Sequence, residues 1–215
     1  MRLPDTWSKA PLTAGLAIVT IGAWVIAALF RLDDWAALTF GFWPGTPIPG
    51  PVPVWLEPLT ATLVHSGVIH LLFNMMILVF CGRPVESVLG LPAMAILYLL
   101  GAYAAAGGQY LVDPQAAAPM IGASGAISAV LGAYAMLFGR NKVKVASPTL
   151  ALWLNALWLM AAWVVLQICV GIALGGASFL TGGEGVQIAV AAHIGGFVIG
   201  VLLANPLLLF KYRKA

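Results

Sequence analysis

Six long apolar runs with almost no charge inside them dominate this sequence. They cover residues 12–30, 61–81, 91–111, 121–138, 150–174 and 187–209. Each run is close to the ~20 residues that a helix needs to cross the hydrocarbon core of a bilayer. Only 8% of the 215 residues are charged, whereas soluble domains carry roughly one quarter. The sequence therefore predicts an all-α polytopic membrane protein with six transmembrane helices.

The rest of the sequence gives no sign of a repeat or a second domain, so residues 1–215 are predicted to form one membrane domain. We interpret the first run as a retained helix and not as a cleaved signal peptide, because further runs of spanning length follow it. Segment 41–58 is too rich in proline and glycine for a spanning helix and too apolar for a solvated linker. We expect it to form a loop at the membrane interface.

Two cysteines, Cys81 and Cys169, lie at or inside apolar runs and form no pattern of spaced pairs. Structural thiols are favoured over a disulfide or a metal site. No cofactor is expected.

The basic residues predict the orientation of the helices. With both termini inside and six spans, nine of the ten lysines and arginines fall on the inner side and only Arg31 falls outside, as the positive-inside rule requires. The inner residues are Arg2, Lys9, Arg83, Arg140, Lys142, Lys144, Lys211, Arg213 and Lys214. The acids Asp33, Asp34, Glu57, Asp113 and Glu184 fall outside. The net charge of +3 is thus explained by topology, and nothing else in the sequence indicates a nucleic-acid partner.

Polar side chains inside hydrocarbon are costly and usually functional, and this chain places several at one depth. At the helical rise, Ser124 lies about 24 Å, His193 about 27 Å and His70 about 20 Å above the inner basic residue of its own run. Asn74 follows His70 at the spacing that puts both on one helix face. Ser124 also opens its run, where free N–H groups favour a developing negative charge. These residues are candidates for one site in the outer half of the membrane.

Small residues would allow the helices that carry these groups to approach closely. Gly122 and Gly125 flank Ser124, and Gly196 and Gly200 form a GxxxG pair after His193. Each signal taken singly has a structural explanation: a membrane serine usually bonds to its own helix, GxxxG is usually a packing seam, and a histidine can be a structural donor or a proton relay. The tryptophans of 150–163 are interpreted as interface anchors and lipid-facing bulk. The matched depth favours a catalytic interpretation of the serine and the histidines.

Three segments resemble the signature regions of the rhomboid family of intramembrane serine proteases. They are HLLFNMMILVFCGRPVESVLG (70–90), GASGAISAVLGAY (122–134) and AHIGGFVIG (192–200). The resemblance extends over residues 61–209 and implies a six-helix rhomboid-like bundle. It also implies that Ser124 is the nucleophile and His193 the general base.

The resemblance further implies that His70 and Asn74 donate to an oxyanion beside the backbone at Gly122 and Ser124, with His65 as a possible accessory residue. Gly82, Glu86 and Gly90 match a GxxxExxxG turn with a structural role. There are two departures. Trp55 is followed by Leu56 and Glu57 where the family often has Trp-Arg, and Ser128 stands where many members carry an aromatic that stacks on the catalytic histidine.

The resemblance implies cleavage of transmembrane-helix substrates. Because no carboxylate lies in any of the six runs, the expected catalytic unit is a Ser–His dyad. Lipid and transmembrane protein substrates are the expected partners, in a prokaryotic plasma membrane, with the site open to the outer side through segment 112–121. The alternatives are a non-proteolytic rhomboid-like protein that binds transmembrane helices and a small transporter or proton relay.

Overall fold

The structure is a computed structural model that describes residues 9–45, 50–139, 147–181 and 190–212. Within these ranges the secondary structure is helical, with one isolated bridge between Phe42 and Met120. The α-helices are α1 (Pro11–Phe30), α2 (Asp33–Phe40), α3 (Glu57–Thr60), α4 (Val68–Leu89), α5 (Leu91–Val112), α6 (Ser124–Phe138), α7 (Pro148–Thr181) and α8 (Val190–Tyr212). Short 3-10 turns at Val54–Leu56 and Ala61–Leu63 flank α3.

Five of the described helices are long and apolar enough to cross a membrane: α1, α4, α5, α8 and the Thr149–Leu166 part of α7. The protein is therefore an integral, multi-pass membrane protein. The remaining predicted span corresponds to α6, which begins at Ser124 and has only 15 residues. Of the residues that predict the orientation, Arg2, Arg140, Lys142, Lys144, Glu184, Arg213 and Lys214 lie outside the described part of the chain.

The predicted span 61–81 is wrong at both ends. Residues 61–63 form a 3-10 turn, and α4 begins only at Val68, after Gly67. At the other end α4 continues past Arg83 and Pro84 to Leu89. Hydropathy marks apolar segments, but it does not separate a helix from an irregular segment buried against protein.

Glu86 explains why α4 extends so far. Its side chain is almost fully buried and accepts hydrogen bonds from the backbone N–H groups of Leu12 (2.8 Å) and Thr13 (2.7 Å) and from the Thr13 hydroxyl (2.6 Å). The first N–H groups of a helix have no intrahelical acceptor, so this carboxylate caps α1 from a neighbouring helix. A Cβ at Gly82 would lie 2.9 Å from Cγ2 of Thr13, which explains the small residue one turn earlier. A carboxylate does therefore lie within a spanning helix, contrary to the sequence-based expectation, and it serves the packing of α1 against α4.

Helix α6 is the centre of the molecule, because every residue from 122 to 133 is buried. It packs against α4, α5 and α8, whereas α7 lies at the periphery with exposed residues such as Trp158 and Val165. The core around α6 consists of small and aliphatic side chains, among them Leu78, Met94, Leu97, Ile127 and Val130. A short helix enclosed in this way can hold a polar group away from lipid.

The segment between α1 and α4 contains short helices as well as irregular stretches. It begins with α2, which the sequence did not predict, and its later part contains the turns around α3. The backbone N–H of Trp43 donates to Glu57 Oε2 at 3.1 Å, and the Tyr103 hydroxyl donates to the carbonyl oxygen of Trp55 at 2.6 Å. The Thr60 hydroxyl donates to the Phe40 carbonyl oxygen at 2.8 Å. These bonds anchor the loop that contains Trp55, Leu56 and Glu57.

Candidate active site

Ser124 and His193, which are 69 residues apart in sequence, meet in the interior. The distance between Ser124 Oγ and His193 Nε2 is 2.7 Å. Ser124 is the first residue of α6, and His193 lies one turn into α8. Only 7% of Ser124 and 5% of His193 is exposed. A hydroxyl and an imidazole are thus held at hydrogen-bonding distance in a buried setting, at the end of a helix where backbone N–H groups are free.

Glycines on both helices allow this approach. A Cβ added at Gly196 would collide with the carbonyl oxygen of Gly125, and one added at Gly200 would collide with the carbonyl oxygen of Ala129. Gly125 in turn lies where a Cβ would collide with the side chain of Ala105 on α5. The backbones of α6 and α8 are therefore in direct contact, as expected for small residues at helix interfaces in membranes.

Trp163 of α7 contacts the other face of the site. Its ring lies edge-on to His193, with ring centroids 6.0 Å apart and an interplanar angle of 68°. Its Nε1–H donates to Ser128 Oγ at 2.9 Å, and the Ser128 hydroxyl donates to the Ser124 carbonyl oxygen at 2.7 Å. The interpretation of every tryptophan in 150–163 as lipid-facing is therefore wrong for Trp163, which is buried. Trp158, by contrast, is 74% exposed.

His70 approaches the site from the start of α4. A Cβ at Gly122 would lie 2.7 Å from both Cε1 and Nε2 of His70 and 3.8 Å from Ser124 Oγ. Gly122 also has φ +108, a conformation that residues with a side chain rarely adopt. Nδ1 of His70 is 3.2 Å from the hydroxyl of Ser66, so Nε2 is the ring nitrogen that lies beside Gly122. The glycine is needed here twice, for its backbone angle and for the space that the imidazole fills.

Asn74 lies one turn below His70 and is buried. Its Nδ2 donates to the carbonyl oxygen of His70 at 2.9 Å. An amide nitrogen carries two hydrogens, so one remains for another acceptor. Oδ1 has no hydrogen-bond partner among the described residues. Asn74 is thus on the same helix face as His70, as its spacing predicts.

His65 supports the segment that leads into Ser124. Its ring packs against His70 with centroids 4.9 Å apart, and its Nε2 accepts a long hydrogen bond of 3.4 Å from the N–H of Ala123. It lies in the irregular turn before α4 and not on a spanning helix. Gly122 N–H donates to the carbonyl oxygen of Ala61 at 2.9 Å. The turn containing residues 61–65 therefore fixes the residues immediately before the serine.

An exposed segment precedes these buried residues. Residues 113–115, 117 and 118 are exposed, and exposure falls toward Ile121 and Gly122. Met120 and Phe42 exchange backbone hydrogen bonds of 2.8 and 2.9 Å, which ties this segment to the first loop. In the described part of the chain no group of three or more His, Cys, Asp or Glu could hold a metal ion. Both cysteines are free thiols, with Cys81 buried and Cys169 exposed.

Comparisons with known proteins agree on one family. The family model described as the rhomboid domain matches residues 53–210. The chain is 31% identical over 152 residues to RHOMBOID-like protein 4 of Arabidopsis thaliana, covering 70% of this chain and 34% of that protein. It is 30% identical over 153 residues to RHOMBOID-like protein 7 of the same plant, covering 70% and 42%. It is 29% identical over 144 residues to the Rhomboid protease GlpG of Haemophilus influenzae, covering 67% and 65%.

The chain spans a third to about two fifths of the length of these plant relatives. The matched region contains α4 to α7, α8 as far as residue 210, and every polar residue of the site described above. The family includes intramembrane serine proteases and acts on transmembrane substrates. Because one rhomboid domain accounts for most of the sequence, this protein belongs to the rhomboid family.

Proposed function

We propose that this protein is an intramembrane serine endopeptidase that cleaves transmembrane-helix substrates with Ser124 as nucleophile and His193 as general base. The observation that carries the proposal is the 2.7 Å distance between Ser124 Oγ and His193 Nε2 at the start of α6. A serine hydroxyl is a weak nucleophile unless a neighbouring base accepts its proton. Packing alone would not require the imidazole nitrogen to face the hydroxyl within the bundle.

The chemistry follows from these two groups. As Ser124 Oγ attacks the scissile carbonyl carbon, its proton passes to Nε2 of His193 and the carbonyl oxygen becomes an oxyanion. When the C–N bond breaks, His193 returns that proton to the departing amine, and the acyl group stays on Oγ. A water molecule, deprotonated by His193, then attacks the acyl carbon and releases the carboxylic acid and the free serine.

Donors for the oxyanion lie on the Gly122 side of Ser124. The backbone N–H of Ser124 is at the amino end of α6, where the helix dipole also favours negative charge. His70 Nε2 and the second hydrogen of Asn74 Nδ2 are the side-chain donors that we assign. Preorganised donors of this kind contribute about 3 kcal/mol each to stabilising a transition state. Gly122 contributes by leaving space for His70.

The catalytic unit that we propose is a dyad. Nδ1 of His193 has no hydrogen-bond partner among the described residues, and the buried carboxylate of Glu86 is engaged by α1. A triad carboxylate holds its histidine in one orientation and one tautomer. In a dyad, other contacts of the imidazole must provide that orientation.

The topology that we propose has six spans, with α6 as the fourth, both termini inside and the site open to the outer side. A short α6 that begins with a serine, after the exposed segment 113–118, would let water reach Oγ from outside. Irregular backbone at membrane depth is tolerated only where it is buried in protein or lines a cavity. We place the protein in a prokaryotic plasma membrane. The topology can be tested with single cysteines introduced at Gln115 or Lys9 in a variant that lacks Cys81 and Cys169. A membrane-impermeant maleimide added outside should label the cysteine at position 115 and not the one at position 9.

The activity is tested with a fluorophosphonate probe and a model transmembrane-helix substrate. Purified protein in detergent or in liposomes should form one covalent adduct per chain, at Ser124, and should cleave the substrate. Ser124→Ala and His193→Ala should abolish both reactions. Ser87→Ala is the matched control, because Ser87 lies on α4 and its hydroxyl donates only to the nearby carbonyl oxygen of Pro84.

Two outcomes would contradict the proposal. If the wild-type protein neither reacts with the probe nor cleaves any transmembrane substrate, while it binds such helices in the membrane, it is a non-proteolytic member of the family. If labelling persists in Ser124→Ala, another residue is the nucleophile.

A further inference from the structure

His193 is buried and has one side-chain hydrogen bond and one aromatic ring contact among the described residues. Nε2 faces Ser124, Nδ1 has no hydrogen-bond partner among the described residues, and the ring packs at a steep angle against the Trp163 ring. One hydrogen bond allows an imidazole to swing about the line through its bonded nitrogen. A second constraint on the ring plane is therefore needed, and Trp163 is the aromatic residue that provides it.

Trp163 is itself held from α6. Its indole N–H donates a hydrogen bond to the Ser128 hydroxyl oxygen (2.9 Å). The Ser128 hydroxyl in turn donates its own hydrogen to the Ser124 carbonyl oxygen (2.7 Å). A serine that bonds back to the preceding turn gains little for its own helix. Here the bond leaves the oxygen lone pairs facing α7, where they accept the indole N–H. The chain of contacts thus runs from the backbone of Ser124 through Ser128 and Trp163 to the ring of His193.

The burial of Trp163 also contrasts with its neighbours on α7. It is 5% exposed, whereas Trp158 is 74% and Val165 57% exposed. Tryptophans of membrane helices ordinarily lie at the interface, and a buried indole requires a partner for its N–H. Trp163 satisfies this requirement only because position 128 is a small hydroxyl residue. A large side chain at position 128 would occupy the same space.

We propose that Trp163 is a positioning residue for the general base, and that Ser128 is the residue that fixes Trp163. This inference rests on the proposed function, since it assigns to Trp163 an action on His193 as the base of the dyad. The aromatic ring that packs against His193 therefore comes from α7, and not from position 128 of α6. The two positions form a complementary pair, one small and polar and the other large and aromatic.

Substitutions at the pair test the proposal by the rate of Ser124 labelling and by substrate turnover. Trp163→Ala should reduce the labelling rate and kcat by about 10- to 100-fold, because a misplacement of about 1 Å can cost 100-fold. KM should change by less than about 3-fold, because substrate binding itself does not use the orientation of the base. Trp163→Phe keeps a ring without the N–H and should lose only about 3-fold, as should Ser128→Ala. Trp158→Ala on the exposed face of α7 is the control and should match wild type.

The double variant Ser128→Phe with Trp163→Ala separates positioning from folding. It moves the aromatic ring from α7 to α6 and should recover most of the rate that Trp163→Ala loses, whereas Ser128→Phe alone should be slow because two rings compete for the space. The endpoint of labelling counts the folded sites. A positioning role predicts one adduct per chain at the endpoint in every variant, with only the rate changed.

The outcomes also distinguish this inference from the proposed function. If wild type labels at Ser124 and Trp163→Ala labels at the wild-type rate, the positioning role is wrong and the protease assignment stands. If Trp163→Ala lowers the endpoint of labelling and not the rate, Trp163 serves folding alone and the inference is also wrong. If the probe does not label the wild-type protein at all, the proposed protease function is wrong, and the positioning role of Trp163 is wrong with it.

Discussion

The imidazole of His70 fills the space in which a side chain on residue 122 would stand. The Cβ of an alanine at Gly122 would lie 2.7 Å from Cε1 and Nε2 of that ring. Gly122→Ala should therefore displace His70 and reduce the rate of Ser124 labelling by about 100-fold, the effect typical of losing one oxyanion donor. The positive φ of Gly122 adds a stability cost of about 1 kcal/mol.

Gly107→Ala is the matched control for this experiment. Gly107 lies in α5, and a Cβ there would meet nothing within 4 Å. Alanine is favoured over glycine in a helix, by about 1 kcal/mol on scales measured in water, so labelling should be unchanged and stability equal or higher. Equal labelling rates in Gly122→Ala and Gly107→Ala would remove His70 from the oxyanion site.

Asn74→Asp should reduce turnover without unfolding the protein. The substitution keeps the shape of the side chain but removes both N–H donors, and it brings an acceptor or a negative charge toward the site where the oxyanion forms. We expect kcat to fall by about 100-fold, with the thermal unfolding midpoint in detergent lowered by only a few degrees. Asn74→Ala should fall by a similar factor, and wild-type turnover in both variants would exclude an essential donor role.

Glu86→Ala should strongly destabilise the protein. Three donors of α1 would lose their acceptor, and buried donors without a partner cost roughly 1–3 kcal/mol each. Even one such loss should lower the unfolding midpoint by several degrees. Glu86→Gln tests the role of the charge, since an amide offers one acceptor oxygen where the carboxylate uses two. Asp34→Asn on the exposed side of α2 is the control, and a Glu86→Ala variant as stable as this control would contradict the capping role.

Tyr103→Phe should loosen the first loop and leave the dyad intact. The change removes only the hydrogen bond from the Tyr103 hydroxyl to the carbonyl oxygen of Trp55, worth about 1 kcal/mol. We expect faster proteolytic nicking between residues 50 and 56 and an unchanged rate of Ser124 labelling by a small probe. Nicking at the wild-type rate would show that the bonds of Glu57 and Thr60 are sufficient to hold the loop.

Much of this architecture could be predicted from the sequence because the bilayer leaves few choices. Apolar length places α1, α5 and α8 within a few residues of their observed bounds. The common depth of Ser124 and His193 follows from the helical rise and two basic boundaries. Glycine spacing indicates which faces approach. These patterns depend on one helix at a time, and so they survive without knowledge of the tertiary fold.

The features that were missed depend on contacts between helices. Nothing in the sequence around Trp163 distinguishes it from the exposed Trp158. The hydropathy of a tryptophan is the same whether its ring packs against a histidine or lies on the surface of the bundle. The true start of α4 depends on the packing of residues 61–65 against Gly122 and Ala123. Its true end depends on Glu86 meeting α1. The anchoring of the first loop depends on the hydrogen bond from the Tyr103 hydroxyl of α5 to the carbonyl oxygen of Trp55, a contact between distant residues that no local pattern indicates.

The contact of α6 and α8 through Gly196 and Gly200 has a consequence for the response to lipid. Backbone touches backbone along this seam, so the two helices tilt or shift as one body. Hydrophobic mismatch arises when the bilayer is thicker or thinner than the apolar length of the 15-residue α6. Membrane helices accommodate such a mismatch by tilting. We expect that strain to be taken up at peripheral α1 and α7, where side chains face the acyl chains. The spacing of Ser124 and His193 would then be insulated from membrane thickness, whereas the fit of Trp163 against His193 would not.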